Sequence, residues 1–282
     1  MDDETRQSAY LSGPSECLRL VRSFSLDTPI IQPRKQDLLQ NLTLAKGIGL
    51  YRQARLKDRG YVDLIKLKEH PTWSERAAAV LRAIEERDMA ALALSGASYS
   101  ELLSFFSFKD IAVVDIETLG LTFSFPIILV GVLSLCSDKY ETRQYVALDY
   151  HLEGGMLQQA IADLSHFAVI VSYNGKSFDV PYINYRAIYH GLHRALNQVN
   201  IDLLFHVRKH YGKRISDCRL ATVEREILGA TRPSDIPGGG IPAAFSRYLE
   251  TGDTSYLQPV IDHNLFDLQS IFHLFLIALD EM

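Results

Sequence analysis

The chain has 282 residues, 47% hydrophobic and 22% charged, with a formal net charge of −5. That is globular composition, long enough for one large domain with a smaller companion, and its charge argues against holding nucleic acid by bulk electrostatics. The longest apolar run, PIILVGVLSLC at 126–136, is too short to span a bilayer, and Cys17, Cys136 and Cys218, widely separated, odd in number and without a C-x-x-C pair, support neither a disulfide framework nor a zinc knuckle.

The first residues, MDDETRQSAY, are acidic and polar and lack the basic and apolar regions of a secretory signal, so the expected location is cytoplasmic, with no membrane partner. A short helix is expected at 15–23. The segment DTPIIQPRK at 27–35 holds two prolines and reads as an extended linker, so residues 1–33 are assigned to an N-terminal extension and linker. From 34 to 106 apolar residues recur at three- and four-residue intervals between glycines and Pro71, which predicts a small all-helical domain. Its first half is basic: residues 34–68 carry nine Lys or Arg and three Asp or Glu.

Near residue 108 the period changes. Apolar runs at 111–116, 127–136, 144–148 and 167–172 predict strands, and helices are expected at 155–165, 180–191, 218–228 and 264–280. Residues 107–282 are therefore read as an α/β domain around a mixed sheet, with a Gly/Pro-rich loop, SDIPGGGIPAAF, at 234–245.

Within VVDIETLGL, strand alternation places Asp115 and Glu117 on one face at the end of a buried strand. Two desolvated carboxylates repel, and a hard divalent cation such as Mg2+ or Mn2+ would relieve them. A D-x-E pair alone also suits a strand-end cap. Two further segments add acids: VSYNGKSFDVPYI presents Asp179 at a helix start, where it could equally be an N-cap, and DHNLFDLQSIFHL sets His263 and Asp267 one helical turn apart.

The triplet DIET, YNGKSFDVPYI and HNLFDLQSI, in this order, resembles the DEDD 3′-5′ exonuclease superfamily, and residues 108–280 resemble the YprB-type RNase H-like domain. The resemblance implies a five-stranded mixed sheet flanked by helices. It also implies that Asp115, Glu117, Asp179 and Asp267 bind two divalent cations, Mg2+ or Mn2+, with His263 as general base, in a 3′-5′ exonuclease acting on phosphodiesters of DNA or RNA, a single strand or 3′ end being favoured. His263 lies four residues before Asp267, the spacing of the tyrosine-type members, where histidine-type members have five. His263 could instead cap the helix or bond a phosphate, and Asn264 is its neighbouring candidate.

Other residues fit nucleic acid less exclusively. Asn174, Lys176 and Phe178 lie in the second motif's turn, where Phe178 either stacks on a base or packs in the core. Asp202 is either a fifth acid or a residue that orders a loop. Arg208, Lys209, Lys213 and Arg214, beside Tyr211, form either a backbone-binding patch or a solvated face. In the helical domain, LAKGIGLYRQARLKDRGYVDLIKL resembles a helix-hairpin-helix element, implying that Lys46, Gly47, Gly49 and Arg52 bind a phosphate, with Ile48 plugging the hairpin. The rival expectations are a structure-specific endonuclease on the same acids, or a non-catalytic nucleic-acid-binding scaffold.

Overall fold

The computed structural model describes residues 7–12, 17–25, 34–136, 139–193, 196–232 and 236–281. The linker expected at 27–35 falls almost wholly outside them. The chain divides into two compact units, one of residues 1–29 with 108–278 and one of residues 30–107 with 279–282.

The larger unit is built on a seven-stranded mixed sheet: β1 Gln7–Ser12, β2 Cys17–Phe24, β3 Ile111–Thr118, β4 Ile127–Cys136, β5 Lys139–Ala147, β6 Val169–Ser172 and β7 Val199–Asp202. Their spatial order is β1-β2-β5-β4-β3-β6-β7, antiparallel as far as β3 and parallel from β3 to β7. The five strands from β5 to β7 are the expected sheet. The N-terminal hairpin extends it by two, which corrects both the helix expected at 15–23 and the assignment of residues 1–33 to an extension. The apolar spacing of CLRLVRSF suits helix or strand, and pairing with β5, from Cys17 opposite Ala147 to Phe24 opposite Tyr140, decides it.

β3 and β4 are apolar on both faces because both are covered, one by a core that includes Val114, Ile116, Val130, Met156 and Leu157, the other by one that includes Leu129, Phe245 and Ile261. Helices Glu153–Leu164 and Asp179–Tyr189 make the crossovers to β6 and β7. A buried ion pair joins them: Arg186 donates through Nε to Glu153 Oε1 at 2.8 Å and through Nη2 to Oε2, while the amide of Ile127 also reaches Oε1 at 2.8 Å. The Tyr182 hydroxyl, 2.6–3.0 Å from the carbonyls of Gly120, Thr122 and Phe125, fastens the loop after β3 to the Asp179 helix. These contacts fix where Asp179 lies relative to β3.

The smaller unit is all-helical, with helices at Lys35–Gln40, Leu50–Asp58, Leu64–Leu67, Ser74–Glu85, Met89–Leu94 and Tyr99–Leu103 around a core that includes Leu38, Leu42, Leu64, Leu67 and Leu92. Side chains start three of these helices, Asp63, Asp88 and Ser98 each accepting from the backbone three residues on, and Glu101 completes a capping box with Ser98. Among the described residues no helix is long and apolar enough to cross a membrane.

Candidate active site

Asp115 and Glu117 lie on the same side of β3, opposite Gly131 and Leu129 of β4, near the C-terminal end of the parallel part of the sheet. Asp179 is the first residue of its helix, and Asp267 projects from the long C-terminal helix Gln258–Glu281. Glu117 and Asp179 are 6% and 5% exposed, so these acids are held largely out of water.

The carboxylates act on one another. Burial pushes the Asp115 carboxyl well above its ordinary range, and the charges of Asp267, Glu117 and Asp179 push it further, against a hydrogen bond from Asn264. Asp179 is pushed up to about 7, first by burial and also by Asp202 and Asp267, with backbone hydrogen bonds at Asp179 and Ile116 opposing. Asp267 is pushed up to about 6 by burial, with His263 and Arg232 lowering it and Glu224 raising it. Four acids from three separate segments thus share one electrostatic environment.

The positive charge nearest this group is Arg232. Its guanidinium is clamped by Glu224, with Nε 2.7 Å from Oε2 and Nη2 2.6 Å from Oε1. The same Nη2 bonds Asp267 Oδ1, Nη1 lies 3.0 Å from His263 Nδ1, and the Phe266 ring covers the group at 5.0 Å. Glu224 begins a π-helical turn, Glu224–Leu228, that follows helix Leu220–Val223. Neither Glu224 nor Arg232 stands out in the sequence, since no spacing ties them to the three acidic motifs.

A family model described as RNase_H superfamily matches residues 112–278. The chain belongs to the RNase_H superfamily. An uncharacterized protein, YprB of Bacillus subtilis (strain 168), is 26% identical over 186 residues, which are 64% of this chain and 45% of YprB, so the match spans less than half of that relative. A family B DNA polymerase from the hyperthermophilic archaeon Pyrobaculum calidifontis aligns with 57% of this chain and 23% of its own at 18% identity, with a TM-score of 0.45. The family model and the match to YprB establish the RNase H-like domain similar to YprB that the motifs lead one to expect.

In this RNase_H-superfamily sheet the donor set suits a hard divalent cation, because the acids are oxygen ligands whose repulsion at Asp115 is opposed by the Asn264 hydrogen bond and still leaves its carboxyl well above the ordinary range. Among the described residues no three His, Cys, Asp or Glu side chains are set to hold a metal ion, and Asp267 is engaged by Arg232. His263 is engaged too. Arginine offers only donors, so Nδ1 accepts and the imidazole proton sits on Nε2, 3.7 Å from Asp267 Oδ2. The base role expected of His263 therefore requires Arg232 to withdraw first.

The remaining expectations separate. Asp202 orders a loop: its carboxylate accepts from the amides of Asn174 at 2.8 Å, Lys176 at 3.1 Å and Leu204 at 3.1 Å. This holds Asn174 at φ 65° in the turn that leads to Asp179. At Gly175 a Cβ would overlap Ser172 Oγ, so the motif's glycine is sterically required. Phe178 packs against the core, edge-on to Tyr182 at 5.2 Å, which corrects its reading as an exposed stacking platform. An exposed aromatic there is Phe205, 48% exposed with Lys176 Nζ 5.9 Å from its ring; it lies outside the motif, and no spacing marks it. Asn174, Lys176, Arg208, Lys209, Lys213 and Arg214 are all exposed.

In the helical unit Gly47 has φ 95°, while Gly49 caps helix Leu50–Asp58. Ile48 is buried and plugs the turn. Arg52 Nη1 donates to the Gly47 carbonyl at 2.6 Å and Arg76 Nη1 to the Lys46 carbonyl at 2.8 Å, so part of the local positive charge holds the hairpin itself. Lys46, Gly47, Gly49 and Arg52 are exposed.

Proposed function

We propose that this protein is a metal-dependent nuclease that hydrolyses phosphodiester bonds, releasing nucleotides from a single-stranded 3′ end of DNA or RNA. One observation carries the reading: in an RNase_H-superfamily domain, Asp115 and Glu117 on one face of β3, Asp179 at a helix start and Asp267 on the C-terminal helix converge, largely out of water, so that burial and neighbouring acids together push Asp115, Asp179 and Asp267 above the ordinary carboxylate range. A cluster that repels itself in this way gains from a cation and loses by facing phosphate without one.

Asp115, Glu117, Asp179 and Asp267 would hold two divalent ions, Mg2+ or Mn2+. Bound there, the ions supply Lewis acidity toward a phosphodiester and its attacking water. The chain's own groups do the rest. Arg232 leaves Asp267 when the acids are loaded, which frees the Nδ1 lone pair of His263 to accept a proton, while Glu224 keeps hold of the guanidinium. Lys176 and Asn174, exposed on the turn before Asp179, and Phe205 beside them would hold the terminal nucleotide, with Arg208, Lys209, Lys213 and Arg214 for the strand behind it. The hairpin of Lys46, Gly47, Gly49 and Arg52 binds backbone phosphate in the helical unit.

A second reading, a scaffold that binds nucleic acid without cutting it, is favoured by the Arg232 link, since a permanent guanidinium beside Asp267 would replace the cation. Labelled single- and double-stranded DNA and RNA, incubated with Mg2+, Mn2+ or EDTA, separate these readings when the parent is compared with Asp115→Asn. Mononucleotide release that needs the metal and is lost in the variant supports the exonuclease. Internal fragments indicate an endonuclease, and binding without cleavage in any condition indicates the scaffold.

A further inference from the structure

Behind Asp115 lies a row of buried polar side chains running across the sheet. Arg22 of β2, 8% exposed, donates through Nη1 to Gln144 Oε1 at 2.8 Å. Gln144 of β5 donates through Nε2 to Asn264 Oδ1 at 3.0 Å and to the Ile261 carbonyl at 2.7 Å. Asn264, fully buried on the C-terminal helix, donates through Nδ2 to Asp115 Oδ2 at 2.8 Å and approaches its carbonyl at 3.3 Å.

The row has a direction. A guanidinium can only donate, so the oxygen of the Gln144 amide must face Arg22. Its NH2 then faces Asn264, and the Ile261 carbonyl, which can only accept, fixes the same orientation independently. The oxygen of the Asn264 amide is thereby turned to Gln144 and its NH2 to Asp115. Room for this crossing comes from Gly131, which lies between Asp115 and Gln144 in the sheet and whose Cβ would overlap Asn264 Oδ1. Buried amides used only for packing would not need a glycine opposite them or a buried arginine behind them.

We propose that Arg22, Gln144 and Asn264 are positioning residues for the proposed reaction: together they aim an amide donor at one oxygen of Asp115 and leave the other for the cation. The inference rests on Asp115 being a metal ligand. It also gives the N-terminal hairpin a task, because β2 supplies Arg22, which together with the Ile261 carbonyl sets the polarity of the row.

The test uses the full chain and MnCl2 alone, with affinity read from the Mn2+ dependence of the thermal unfolding midpoint and from electron paramagnetic resonance of free Mn2+. Gln144→Glu keeps the shape and the bond to Arg22 but removes the donor facing Asn264, which lets that amide turn over. It should weaken Mn2+ binding at least tenfold, Asn264→Ala should do the same, and Arg22→Lys, which retains a donor, should stay within threefold of the parent. A merely structural role would lower the metal-free midpoint and leave Mn2+ affinity unchanged. Parental affinity in folded Gln144→Glu or, should that variant not fold, in Asn264→Ala overturns the inference while the nuclease reading stands. Absence of Mn2+ binding by the parent overturns both.

Discussion

Arg232 and His263 meet through Nη1 and Nδ1 at 3.0 Å, and because the guanidinium has no lone pair, the imidazole is fixed with its proton on Nε2. In the metal-free protein, 15N NMR of the His263 ring should show the Nε2–H tautomer at neutral pH, and Arg232→Met should release that preference. The same substitution removes a charge that lowers the Asp267 carboxyl, so the Asp267 titration should move above about 6 when followed by carboxyl 13C NMR.

Arg232 is also the partner of a buried acid. Glu224 is 2% exposed, and Arg232→Met would leave its carboxylate without the bidentate donor pair. Breaking such a pair from one side costs about 3–5 kcal/mol, whereas replacing both members by apolar groups costs much less. Urea unfolding should therefore show Arg232→Met as the less stable variant and Glu224→Met with Arg232→Met together as the more stable one. Equal stability of the two would mean that the pair is weakly coupled.

Asp179 ties stability to pH. Its carboxyl is raised from 3.8 to about 7, so between those values the unfolded chain has released a proton that the folded one retains. Stability from this group therefore falls as pH rises from about 4 to 7 and is level above that. Asp179→Asn removes the loss. In EDTA, the stability of the variant minus that of the parent should grow between pH 5 and pH 8 by on the order of 2 kcal/mol in urea titrations.

Gly131 faces Asn264, and any Cβ there collides with the amide. Gly131→Ala should cost about 1–3 kcal/mol in urea unfolding, as overpacking does. In an Asn264→Ala background the same substitution should cost less, because the amide is gone and the end of Leu268 remains as the close contact.

In the helical unit, Gly47→Ala should cost about 1–2 kcal/mol, since φ of 95° is strained for a residue with a Cβ. Charge reversal at Lys46 should weaken binding of single-stranded DNA and lower the slope of log affinity against log salt by about 1, read by fluorescence anisotropy. An unchanged slope would remove Lys46 from the phosphate contacts.

Much of the larger unit was legible in advance because its determinants are local. The change from helical to alternating period near residue 108 marks the sheet, and DIET on a Val- and Ile-rich strand fixes both the strand and the shared face of Asp115 and Glu117. Tertiary structure decided the rest. Segment 17–24 became a strand because β5 offers a free edge, a fact about a partner at residues 140–147, far along the chain. Phe178 turned inward because Tyr182 and the core were there to meet it, leaving Phe205 outside. Glu224 and Arg232 come to Asp267 from outside the three acidic motifs, and Gln144 of β5 reaches Asp115 only through Asn264, so no spacing within a motif encodes that convergence. Periodicity reports which face of an element is buried; which charges then share that burial depends on how the elements pack, and at this site that packing sets the proton affinities.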